Sequence, residues 1–170
     1  YVTVAPHFLL KVLHINMALY GSLYWLNSGA MIVMSVVGVR YLNRFGSVKC
    51  LTVSLWLLLS FLGILYLLLA RHQINIVSFY VLTMIIFAIS WLTYTSASYI
   101  ATHAIDDVAN AAGMMSFINL LTAVVSVIVI GYLPFAQIEA FVVVLIIALL
   151  ICLFGRYKVL HKVANPVLPN

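Results

Sequence analysis

The sequence predicts an all-α integral membrane protein with five full transmembrane helices and a partial one at its start. Three observations lead there. Only 6% of residues are charged against 66% hydrophobic, and the mean hydropathy is +1.24. The few charges divide the chain into neutral runs at residues 12–39, 50–70, 72–105, 108–138 and 140–155. Stretches such as Leu57-Leu58-Leu59 and residues 142–147 are apolar on every face, which a barrel strand alternating polar and apolar residues is not. A helix crosses the hydrocarbon core with about 18 or more apolar residues. Four runs exceed that length, and the last reaches it if Glu139 sits at the membrane surface. Helices follow because lipid offers the backbone no hydrogen-bond partner.

Composition also excludes several classes. A soluble fold of this hydrophobicity would expose far more apolar surface than water tolerates. The net charge of +5 comes without a basic run for nucleic acid, and the excess of cations in cytoplasmic loops explains it. Cys50 and Cys152 lie near opposite ends of different spans, so no disulfide is expected. The five histidines stand at span ends or in connections without metal-ligand spacing. There is no Ser/His/Asp set, no phosphate-cradling glycine loop and no cofactor motif, so neither an enzyme nor a cofactor or metal protein is expected.

The elements follow in order. The chain opens on Tyr1 without a signal-peptide pattern. Residues 1–13 are apolar but too short to cross, and are expected to end a helix that begins upstream, making the chain a fragment. Lys11, His14 and Asn16 form a polar connection. The first full span covers residues 19–42, and a basic turn follows with Arg40, Asn43, Arg44, Gly46 and Lys49. The second span covers 48–70 and ends at Arg71-His72-Gln73. The third occupies 76–102, with a polar second half, before His103, Asp106 and Asp107. The fourth covers 111–133, stopped by Pro134. The fifth covers 138–157 and leads into Arg156, Lys158, His161 and Lys162. Because spans alternate in direction, Arg40, Arg44, Lys49, Arg156, Lys158 and Lys162 share one side, and only Lys11 and Arg71 the other. Six cations against two place the first side, and the C-terminus, in the cytoplasm.

Polar residues inside the spans are the candidates for function. Gly21, Ser28 and Ser35 recur every seven residues, flanked by Ser22, Gly29 and Gly38, and suit a helix-packing face. Asn27 carries an amide near mid-membrane, costly unless it has a partner or faces water; it either packs or lines a cavity. In the third span, Ser90 and Tyr94 are one turn apart and closest to mid-membrane. Hydroxyls and rings together suit a wide cavity for amphipathic solutes, or else interhelical bonding with interfacial aromatics. Ser116, Asn119, Thr122 and Ser126 form one polar stripe on the fourth span; Asn119 is its strongest member. Asp106 and Asp107 are placed to cap that span, and Glu139 starts the fifth. No carboxylate lies in the central part of any span.

The turn from Gly38 to Lys49 resembles the loop that the major facilitator superfamily places between its second and third helices and repeats between its eighth and ninth. Asn43 stands where the first copy has Asp, and the basic pair is reduced to Lys49. Residues 109–119 resemble the small-residue start of helix eleven in drug–proton antiporters of the Bcr/CflA type. Residues 21–29 resemble their helix eight, and residues 1–10, with Ala5-Pro6, the outer end of their helix seven. The order of these segments carries the resemblance.

On this resemblance the chain is helices seven (partial) to twelve, a single bundle over residues 1–170, with the N-terminal half of the transporter missing. It implies a secondary transporter in a bacterial-type cytoplasmic (inner) membrane that exports small amphipathic compounds or drugs in exchange for protons. Asn27, Ser90, Tyr94, Ser116, Asn119 and Thr122 would line the substrate cavity. Gly38, Asn43, Arg44, Gly46 and Lys49 would form the conformational loop. The partners implied are the bilayer, the small-molecule substrate, protons and the N-terminal half. A proton-coupling carboxylate would then reside in that half, or the protein is not proton-coupled. The alternatives are an exporter of a specific metabolite or siderophore, and a non-transporting membrane scaffold subunit.

Overall fold

A computed structural model describes residues 9–10, 16–71, 73–103, 107–133 and 137–164. Outside them lie most of the partial span expected over residues 1–13, with His7, Lys11 and His14, as well as His72, Asp106 and Pro134. The described chain is helical, and no strand occurs among these residues. The helices are α1 (Met17–Phe45), α2 (Ser47–Ala70), α3 (Ile76–His103), α4 (Val108–Tyr132) and α5 (Gln137–Ala164). The shortest, α2, has 24 residues, about 36 Å at 1.5 Å per residue, against a hydrocarbon core of about 30 Å. All five are long and apolar enough to cross a membrane. The last helix runs past the expected end at residue 157 and carries the basic residues of the tail on helical backbone.

The helix starts are fixed by side chains that replace missing carbonyl partners. The Asn16 Oδ1 accepts from the Leu19 N–H at 2.7 Å, and the Asn75 Oδ1 from the Ser78 N–H at 2.8 Å. Asp107 caps α4, accepting from the Asn110 N–H at 3.1 Å and from its Nδ2 at 2.6 Å. Its carboxylate is therefore structural, as its position before the span suggested.

One residue, Gly46, joins α1 to α2. Its φ of 82° with ψ of 147° lies close to a region that only glycine occupies without strain. Its N–H donates to the Leu42 carbonyl at 2.9 Å, and its own carbonyl accepts from the Cys50 N–H at 3.1 Å. The Cys50 thiol donates to the Tyr41 carbonyl at 3.5 Å, tying the first turn of α2 back to α1. Both Cys50 and Cys152 are free thiols.

The core centres on α3, which packs most extensively against α2 and α1; α2 also packs on α5. Leu58, Leu62, Leu65 and Leu69 form the buried stripe of α2 and meet Phe79, Tyr80, Ile86 and Ile89 of α3 with Ile138, Ala140 and Val142 of α5. Helix α1 meets α3 at buried Gly38, where an added Cβ would stand 3.2 Å from Leu92 Cδ1. That glycine flanks the stripe of Gly21, Ser28 and Ser35 expected to pack. Those residues are half-buried, and an added Cβ at Gly21 would meet nothing within 4 Å. Ser28 and Ser35 donate to carbonyls of their own helix, Tyr24 and Ile32. Helix α4 is the least enclosed, with 6% of its membrane-length window buried; its buried residues are Ala111 and Ile130.

Two substitutions test this frame. Gly46→Ala places a Cβ on strained backbone and is expected to cost about 1–3 kcal/mol, read as earlier unfolding in a denaturing-detergent titration. Asn75→Ala removes the α3 cap and is expected to cost about 1 kcal/mol in the same titration.

Candidate functional site

Most hydroxyls in the spans are already engaged by their own helix. On α3, Thr93 donates to the Ile89 carbonyl at 3.0 Å, Thr95 to Trp91 at 2.8 Å and Thr102 to Ser98 at 2.8 Å. On α4, Ser116 donates to the Ala112 carbonyl at 2.9 Å and Thr122 to Ile118 at 2.7 Å. Such back-bonding satisfies the side chain locally and leaves it little to offer a solute. Of the stripe Ser116–Asn119–Thr122–Ser126, the exposed amide of Asn119 and the half-buried hydroxyl of Ser126 are what remain for outside chemistry.

The six expected cavity residues do not share one environment. Asn27 is buried at 3% exposure. It lies eleven residues before Gly38 on α1, at nearly the same angle around the helix. Both therefore belong to the face that packs on α3. Two chain reversals separate α1 from α3, so they run in the same direction. With Gly38 level with Leu92, Asn27 lies about 14 Å along the axis from Ser90. Ser90 is half-buried, while Tyr94 is exposed and its ring stands 5.7 Å from that of Trp91. Ser116, Asn119 and Thr122 are exposed on the outward side of α4. Asn119 stands near the midpoint of that 25-residue helix.

The sequence offers Trp91, Ser96 and Ser98 among the polar and aromatic residues of the third span, but favours Ser90 and Tyr94 over them. Trp91 Nε1, Ser96 Oγ and Ser98 Oγ are buried without a hydrogen-bond partner among the described residues. Trp91, Tyr94 and Ser98 follow at spacings of three and four and share a face. Ser96, fully buried, sits one turn beyond Leu92, the residue that meets Gly38. Buried polar atoms without partners are uncommon and costly, which marks this part of α3 as the place where a polar solute or a further chain would find donors.

The residues of the expected conformational loop divide between the core and one exposed surface. Gly38 is buried at the contact with α3; Asn43, Arg44, Gly46 and Lys49 are exposed. Beside them, Tyr41 and Phe45 stack with ring centroids 5.8 Å apart, and the Arg44 guanidinium lies 5.5 Å from the Phe45 centroid. Arg40, Tyr41, Arg44 and Phe45 line an open recess of about 250 Å³. The sequence signal for this feature was present as two i, i+4 pairs, one cationic and one aromatic. Among the described residues no group of three His, Cys, Asp or Glu side chains could hold a metal ion.

Compared with known proteins, the chain matches no family model, no curated protein and no solved structure.

If Ser96 Oγ has no partner in the folded protein, Ser96→Ala removes a desolvated hydroxyl at no cost. Stability in a denaturing-detergent titration is then expected to stay level or rise by about 1 kcal/mol. A loss of similar size would show that the hydroxyl is bonded to something outside the described residues.

Proposed function

We propose that this chain is one half of a secondary active transporter of the major facilitator type, exporting small amphipathic compounds in exchange for protons. The observation that carries the reading is the exposed amide of Asn119, halfway along a helix of membrane-spanning length. Hydrocarbon cannot hydrogen-bond an amide, so a lipid-facing asparagine at that depth is unfavourable. A water-filled path between two helical halves removes the penalty, and α4 then forms one wall of that path.

In this reading the two halves rock about a mid-membrane site, opening it to each side in turn. Asn119 and Tyr94 meet the substrate, while Trp91 Nε1 and Ser98 Oγ are buried behind Tyr94 on the same face of α3. Asn27, enclosed between α1 and α3, positions those helices. The end bearing Arg40, Arg44 and Lys49 is cytoplasmic, as is the C-terminus. The proton-carrying carboxylate belongs to the other half, because Asp107 is engaged by Asn110 and Glu139 stands in the first turn of α5. A second reading rests on the same exposure of α4: its small and polar side chains, Ala112, Gly113, Ser116 and Asn119, also suit close packing against another subunit, making the chain a scaffold.

Asn119→Ala separates the two. In vesicles holding the intact protein under an imposed pH gradient, the variant is expected to export an amphipathic cationic dye about tenfold more slowly, the effect of losing about 1.4 kcal/mol of substrate or transition-state contact. Its thermal stability and its complement of co-purifying chains should be unchanged. Unaltered export with loss of a co-purifying chain would sink the transporter reading in favour of the scaffold.

A further inference from the structure

The recess at the end of α1 has chemistry that transport does not use. Arg40 and Arg44 are one turn apart on a single exposed face. Arg44 is held over the Phe45 ring, and Phe45 is stacked on Tyr41. The Cys50 thiol bonded to the Tyr41 carbonyl anchors this turn to α2. Helix α2 begins one residue later with no side-chain cap, so the positive end of its dipole adjoins the same cations. Lys49 is exposed in its first turn.

Among the described residues the acidic group at this end of the bundle is Asp107, which caps α4. The chain has three Asp and Glu residues in all; Glu139 starts the helix that enters from the other end, and Asp107 already accepts two hydrogen bonds from Asn110. The recess, about 250 Å³, is below the range of about 300–1,000 Å³ that encloses a drug-sized ligand. It has room for a phosphate and a few atoms more. Guanidinium groups bind phosphate oxygens in bidentate pairs.

What favours a lipid over a free anion is the rest of the same helical face. Toward the membrane interior from Arg40, the positions at matching angle are Val36 and Val33, exposed at 59% and 63%. Cations at the headgroup level, two flanking rings and an apolar strip below them match the profile of one phospholipid, headgroup to acyl chain. The 29 residues of α1 span about 43 Å, more than the hydrocarbon thickness of about 30 Å, so its last turns lie in the headgroup layer.

We propose that Arg40 and Arg44, with Tyr41 and Phe45, bind the phosphodiester of an anionic phospholipid whose acyl chain lies along Val36 and Val33. This holds whether the chain transports or scaffolds.

The test titrates the purified protein in detergent with phosphatidylglycerol or phosphatidylcholine and follows the melting temperature. At roughly fivefold in affinity per basic residue, two arginines predict half-saturation by phosphatidylglycerol at about twenty-fivefold lower concentration. Arg40→Gln with Arg44→Gln should abolish that gap, and Arg71→Gln, at the other end of the bundle, should preserve it. A gap that survives the double substitution overturns the proposal. So does stabilisation of equal size by inorganic phosphate alone, which would make this a site for a free anion. If the double variant does not fold, the wild-type protein decides: the gap should shrink at least tenfold between about 0.05 and 0.5 M salt, and a salt-independent gap overturns the assignment.

Discussion

Every backbone N–H and C=O within a membrane-spanning segment has to find its partner inside the protein, and the rest of the structure depends on that requirement. It makes the spans helical, and it also decides how the helices start and what their polar side chains do. Asn16, Asn75 and Asp107 supply acceptors where no preceding carbonyl exists. Serine and threonine hydroxyls along α1, α2, α3 and α4 return to carbonyls one turn earlier. A chain whose hydroxyls are largely absorbed in this way retains few polar groups for other work, and those few stand out: Asn119, Trp91, Ser96, Ser98 and the arginine pair of α1.

Packing in such a protein gains little from moving apolar surface away from lipid, since lipid tails are as apolar as leucine; it relies on close fit. The fit is visible at three places. Gly38 admits Leu92, and Ser54 and Ser96, both fully enclosed, let backbones approach where a larger residue would hold them apart. The leucine stripe of α2 fills the remaining space against Phe79 and Val142. Helix α4 has no comparable set of small residues turned inward, and it lies at the edge of the bundle.

The five helices were legible because charges are rare and mark the ends of spans; Arg71, Asp107 and Glu139 each fall within a few residues of a helix boundary. The capping role of Asp107 was legible for the same reason. Which helix is buried was not. Helices α2 and α4 are similarly apolar, yet one is central and the other exposed, because a lipid-facing side and a core-facing side ask for the same residues and leave no amphipathic signal. The polar stripe on α4 was visible as spacing. That Ser116 and Thr122 turn back on their own backbone depends on rotamers, which spacing does not record. On α1 the contact falls at Gly38, which flanks the expected glycine–serine stripe, because that is where Leu92 stands opposite; the period of the small residues does not record it.

The junction at Gly46 has a mechanical consequence. With a single residue between α1 and α2, and the thiol of Cys50 donating to the Tyr41 carbonyl, the two helices are coupled at that end, although they pack little on each other along their length. Displacement of either at the junction is passed to the other, and from α1 to α3 through the contact of Gly38 with Leu92. Among the described residues, the lightly packed flank of α4 is where the bundle resists rearrangement least.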